Sequence, residues 1–256
     1  MTSKIRLAGA VLACAALPAL ALAASHTASA KIGPKTLAGT WESPWPPDQL
    51  RQPGDPAPPV EVTAPPLKPQ YFAAWKAEQK ANTDAIARGE PPVTDGVRCM
   101  PGGFPGMMGP VFPMEVLETP GQVTIVQEAY GQIRRIYLNE KQIAVEDAEP
   151  VFFGHSVGHW EGKTLVVNTI GMKENVRMRG APHSVNQRVD ERIYATSPDT
   201  FEDHVTITDP QYLTGPWSWT WHYKRKPGYK INEFICENNR EFADPKTGGQ
   251  RLKLGD

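Results

Sequence analysis

From Pro120 onward the chain alternates apolar and polar positions with a period of two, and turn residues interrupt it at short intervals. Residues 122–129 and 132–138 flank Tyr130-Gly131, and 152–160 and 164–170 flank Glu161-Gly162. Residues 187–194 and 201–208 flank Ser197-Pro198-Asp199, and 217–224 and 229–237 flank Pro227-Gly228. Four successive hairpins predict eight strands, an antiparallel meander that closes into a small barrel and so removes its exposed edges. The fold class is mainly β.

The first half reads differently. Residues 31–69 hold eleven prolines, which favour extended backbone over helix or central strand, and Trp41 and Trp45 give this arm a reason to pack on the domain. A single helix is expected over 70–89, opened by Pro69 and closed by Gly89 and Pro91-Pro92. Its apolar positions are Tyr71, Phe72, Trp75, Ala85 and Ile86. Residues 98–113 form a Gly/Met/Pro-rich loop without a regular period. The helix and the barrel make one domain over 70–256.

Lys4 and Arg6 precede an apolar run from Leu7 to Ala24, followed by the small-residue sites Ala21-Leu22-Ala23 and Ala28-Ser29-Ala30. That is the layout of a secretory signal peptide over 1–30 and predicts a periplasmic or secreted product. The run continues past Cys14 and so argues against a lipoprotein box there. Cleavage after Ala30 leaves 226 of 256 residues, with 25 basic against 28 acidic side chains. No dense basic run is present, so nucleic acid is not an expected partner. No other stretch is long and apolar enough to span a membrane, so none is expected to anchor the mature chain. Cys99 and Cys236 are the cysteines left after cleavage, and in an oxidising compartment they are expected to pair.

The candidate chemistry lies on the strands. With Glu161-Gly162 as the turn, His155, Val157, His159, Thr164, Val166 and Asn168 share one face of a hairpin. Ser156, Gly158, Trp160, Leu165 and Val167 share the other. A few polar groups among apolar ones suit a ligand-holding lumen, so the histidine face is expected to point inward. Trp217, Trp219, Trp221 and Tyr223 form one aromatic stripe, either a core or a wall for a planar ligand. Glu191 lies on the face of Val189 and Ile193, and Asp203 on that of Phe201, Val205 and Ile207. Carboxylates so placed would be desolvated and their pKa raised, as acid–base work requires.

Gly154-His155-Ser156-Val157-Gly158 also matches the nucleophile elbow of serine hydrolases. An elbow needs a helix after its serine, and here a turn and a β-branched strand follow. A metal site at His155 and His159 is disfavoured because residues four apart on a strand stand roughly 13 Å apart. Met100-Pro101-Gly102-Gly103 lacks the frame and the lysine of a phosphate loop. Neither a metal nor a cofactor is expected.

Leu37-Ala38-Gly39-Thr40-Trp41 resembles the Gly-x-Trp entry of lipocalin-like (calycin) barrels, which implies a barrel of that kind. Residues 98–239 resemble a large, mostly uncharacterised family of exported bacterial proteins. The resemblance is carried by Arg98-Cys99-Met100-Pro101, Thr119-Pro120-Gly121-Gln122-Val123, the stretch from Gly154 to Gly162, Pro182-His183-Ser184 and Glu191-Arg192. Thr208-Asp209-Pro210, Pro216-Trp217 and Cys236-Glu237-Asn238 complete it. It implies a shared fold and no particular activity.

The sequence therefore leads us to expect cofactor-independent acid–base chemistry, of lyase or isomerase type, on a small aromatic or lipophilic compound. His155 and His159 serve as acid and base, Glu191 and Asp203 assist, and Asn168, Trp219, Trp221 and Tyr223 bind the ligand. The alternatives are a non-catalytic binding protein for the same ligands, and a hydrolase in which Ser156 draws on His183, His204 or Asp209.

Overall fold

The computed structural model describes residues 36–45, 62–90 and 98–236, together with the backbone of two short strands at 241–243 and 250–252. The predicted signal peptide and much of the proline-rich arm lie outside the described residues.

Nine strands close into a barrel in chain order. They are β1 Gly39–Glu42, β2 Met114–Thr119, β3 Gln122–Gln127, β4 Gln132–Leu138, β5 His155–Glu161, β6 Thr164–Ile170, β7 Arg188–Ser197, β8 Thr200–Thr208 and β9 Trp217–Arg225. Neighbours are antiparallel except β4 and β5, which run parallel because residues 139–154 carry the chain back along the barrel before β5 begins. Two further strands, β10 Glu241–Ala243 and β11 Gln250–Leu252, pair only with each other. The one α-helix among the described residues, α1, spans Pro69–Ala87.

The meander and the closed barrel are as the alternation predicted; the strand list is corrected at its ends, where β1 and β2 were not expected. No strand forms over 229–236, where the eighth was expected. Its place beside β9 is taken by β1 from the proline-rich arm, with Trp41 opposite Arg225 on β9 and opposite Met114 on β2. Residues 229–232 turn instead toward Glu128, whose carboxylate accepts from the Tyr229 hydroxyl at 2.6 Å and the Asn232 amide at 3.0 Å. Trp41 is fully buried, its indole N–H donates to the Leu37 carbonyl at 2.7 Å, and the Arg225 guanidinium lies 4.1 Å above its ring. One buried aromatic with a cation on its face thus anchors the strand that closes the cylinder.

The register puts the tight turns at 120–121, 162–163 and 198–199 at one end. Residues 62–90 and 98–113 of the connection between β1 and β2, and the connections 171–187 and 209–216, gather at the other. There the Gly/Met/Pro loop enters the barrel mouth as a plug, with Phe104, Met107 and Met108 fully buried. Gln127 donates to the Met107 carbonyl at 2.6 Å, the Tyr223 hydroxyl donates to the Met108 carbonyl, and the Gly103 N–H donates to Gln132 at 3.0 Å. Gly103 sits at φ +68°, where a Cβ would come within 2.5 Å of the Phe152 carbonyl oxygen, so the loop passes there only as glycine. Helix α1 lies over the same end: Trp75 is buried and its indole N–H donates to the Arg179 carbonyl at 3.0 Å.

Cys99 and Cys236 form the expected disulfide, with Cα atoms 5.5 Å apart and a sequence separation of 137. It joins the root of the plug to the segment after β9. Closing so long a loop removes about 5 kcal/mol of unfolded-chain entropy in the chain-entropy model. Denatured without reductant, the oxidised protein should leave both cysteines resistant to alkylation, and a Cys99→Ser, Cys236→Ser double variant should unfold at markedly lower urea. Labelling of both thiols in the oxidised protein would refute the bridge.

Candidate functional site

The faces of the β5–β6 hairpin divide as the alternation requires, but its register and its inward side both differ from expectation. The two-residue turn is Gly162-Lys163, with Glu161 opposite Thr164, because glycine takes the positive φ of +62° at the first central position. This moves each pair along the strand without changing which residues share a face. The inward face is that of Ser156, Gly158, Leu165 and Val167, and the histidine face points out. The reason is packing: Gly158 lets Ile136 and Leu165 close over it, since a Cβ there would meet Ile136 at 3.0 Å.

His155 and His159 therefore do not line the lumen, and they do not meet. The ring of His155 is stacked near Tyr137, 5.9 Å between centroids, and its Nδ1 lies 2.8 Å from the Gln142 side chain. His159 is more than half exposed beside Glu161, whose carboxyl is held below its usual range first by Arg192 and then by His159. Asn168 also points outward, donating to Asp190 at 2.8 Å. His159, Asn168, Asp190 and Glu140 border a shallow outer hollow of about 430 Å³ that does not include His155.

The hydrolase partners are likewise dispersed. His183 is buried with its two ring nitrogens each 3.0 Å from a carbonyl oxygen, those of Ser184 and Lys173. His204 is on the exterior beside Thr220. Asp209 accepts from the Ser184 N–H at 2.6 Å, the Ser184 hydroxyl at 3.0 Å and the Gln211 and Tyr212 N–H groups, so it stitches two end loops together. Ser156 faces the lumen with Arg134 and Thr169 as its hydrogen-bond neighbours. The strand continues through it, so the elbow geometry is absent.

What the barrel does hold is a buried polar cluster. The Arg134 guanidinium, fully buried on β4, grips the Glu191 carboxylate of β7 with two hydrogen bonds of 2.8 and 2.5 Å. Its other N–H groups donate to Ser156 on β5 at 3.2 Å and Thr169 on β6 at 3.1 Å, and the Phe104 ring of the plug lies 3.8 Å from its centre. Sequence reasoning missed Arg134. The signal was its parity with Ile136, obscured because Ile133 and Arg135 offer an equally plausible inward face.

Asp203, on β8, is fully buried beside this pair, and neither of its oxygens receives a hydrogen bond from any described donor. Burial pushes its carboxyl well above the usual carboxylate range; the Glu191 charge adds to this, and Arg134 offsets part of it. Burial therefore favours the protonated form of Asp203, in which it can donate to Glu191. On β9, Trp217, Trp219, Trp221 and Tyr223 all face inward and are buried, with Trp221 directly across from Asp203. The indoles pack edge to face, 5.2 and 5.8 Å between centroids, and Tyr223 stacks on Phe201 at 4.1 Å. The three indole nitrogens are buried without an acceptor among the described residues. No grouping of described residues could hold a metal ion.

The chain matches no protein-family model and no curated protein.

A raised native pKa makes the folded state bind more protons than the unfolded one, so stability falls as pH rises. For Asp203 the loss starts near pH 4, where the carboxyl of the unfolded chain ionises, and continues up to the raised native value. Asp203→Asn removes that contribution. Urea unfolding from pH 4 to 8 should show the variant gaining steadily on the parent protein, and a constant difference across that range would contradict a neutral Asp203.

Proposed function

We propose that the protein is an exported barrel that holds a small aromatic or lipophilic compound against the indole wall of β9. The observation that carries this is the inward stripe Trp217, Trp219, Trp221, facing a buried cluster of only three charge-bearing side chains. Aromatic walls with a few fixed polar groups are what small-molecule sites consist of. Export rests on the signal-like N-terminus, and a kinship with calycins or with the exported bacterial family rests on the motifs given above.

Binding is tested with N-phenyl-1-naphthylamine, an uncharged dye excited by energy transfer from tryptophan. It should bind saturably and one to one; Trp219→Ala should weaken it by about tenfold or more, and His159→Gln on the exterior should leave it within twofold. No saturable signal, or equal weakening by the exterior variant, would remove the wall as the binding site.

A catalytic extension of the same site is supported by Asp203 as a neutral acid beside the Glu191 carboxylate, an arrangement suited to handing a proton to a bound compound. It assigns the acid–base work of a lyase or isomerase step to the carboxyl pair in place of the two histidines. Where a compound that the protein turns over is found, Asp203→Asn should lower kcat by roughly 10²-fold or more while dye affinity stays within a few-fold. Unchanged kcat would leave a binding protein.

A further inference from the structure

The geometry points to an uncharged ligand bearing a hydrogen-bond acceptor, such as a planar carbonyl compound, received by an indole N–H of the stripe Trp217, Trp219 and Trp221. This rests on the wall being a ligand site. An indole nitrogen is a donor only, and here three of them are buried on one strand face with no acceptor among the described residues. The carbonyls of β8 lie in ladders with β7 and β9, and the indole nitrogens have no acceptor among the described residues, so the wall presents unmet donors over an apolar surface.

Charge narrows the class. The Arg134 cation is already met by both oxygens of Glu191, and Asp203 adds no positive charge. A buried anion would find no free cation and would lie near the Glu191 carboxylate, whereas an acceptor-free hydrocarbon would leave the indole donors unmet. A neutral carbonyl accepts from an indole N–H without importing a charge, and it takes one or two of the three, since Trp217 and Trp221 stand roughly 13 Å apart along the strand.

Three compounds of two-ring size separate these cases in competition with the dye: chromone, an uncharged ketone; naphthalene, with no acceptor; and 2-naphthoate, an anion. Chromone should displace the dye at about tenfold lower concentration than naphthalene, and 2-naphthoate should do no better than naphthalene. Trp219→Phe keeps a ring and deletes one N–H, so it should shrink the chromone advantage several-fold while sparing naphthalene; Trp217→Phe serves the same comparison if that variant does not fold. Equal displacement by chromone and naphthalene would overturn the acceptor inference, with ordered water then satisfying the indoles, and would leave the wall as a site. Tighter binding of 2-naphthoate than of chromone would overturn the uncharged class. Failure of the dye and all three compounds to bind would overturn the wall reading itself.

Discussion

A guanidinium cannot shed its charge at any pH a folded protein meets, so placing Arg134 at full burial obliges the surrounding chain to satisfy it. Three neighbouring strands and the plug contribute. Glu191 on β7 supplies the counter-charge, Ser156 on β5 and Thr169 on β6 accept from the remaining N–H groups, and Phe104 covers the flat face. Each contribution requires its own strand to hold a given face inward. A one-residue slip in β5 would replace Ser156 by a neighbour and turn the histidines into the lumen. The cluster therefore specifies register around half the barrel, and removing one partner alone would leave a buried charge uncompensated, a cost of about 3–5 kcal/mol.

The same cluster sets the state of Asp203. With one cation already matched by one carboxylate, a second buried carboxylate would be a net charge, and this raises the pKa of Asp203 and favours its protonated form. Acid–base potential in this molecule thus arises from crowding a third ionisable group next to a satisfied pair. The histidines have no comparable environment: one lies against Gln142 and Tyr137, and the other pairs with Glu161 on an open face.

Strand alternation made most of the barrel legible, because a half-buried strand declares itself by period two whatever its neighbours are. β1 was hidden because four residues flanked by prolines carry too short a pattern, and only the tertiary edge left by β9 makes them a strand. The segment after β9 was read as a strand from its composition, although Glu128 and the disulfide draw it elsewhere. The faces of β5 and β6 were assigned correctly as sets, yet their inside was inverted. Polarity alone does not distinguish a polar lining from a solvated exterior, and the deciding contacts, Gly158 under Ile136 and Ser156 on Arg134, are made with another strand. Glu191 and Asp203 were legible as inward carboxylates because each stands among unambiguous apolar neighbours, and the indole stripe was legible for the same reason.

The asymmetry of the two ends bears on how such an interior could be reached. At one end tight turns tie neighbouring strands, while Trp41, Phe201 and Tyr223 fill the adjoining lumen. At the other the plug is held by hydrogen bonds from Gln127, Gln132 and Tyr223 and tied at its root by the disulfide. Gly109 of the plug lies against Trp221, where even a Cβ would be only 3.8 Å from the indole. Loop and aromatic stripe therefore share one contact surface at Trp221. Phe104 on Arg134 and Gly109 beside Trp221 place the Phe104–Gly109 segment against both the polar cluster and the aromatic stripe, so one loop packs on the charged and the apolar parts of the interior.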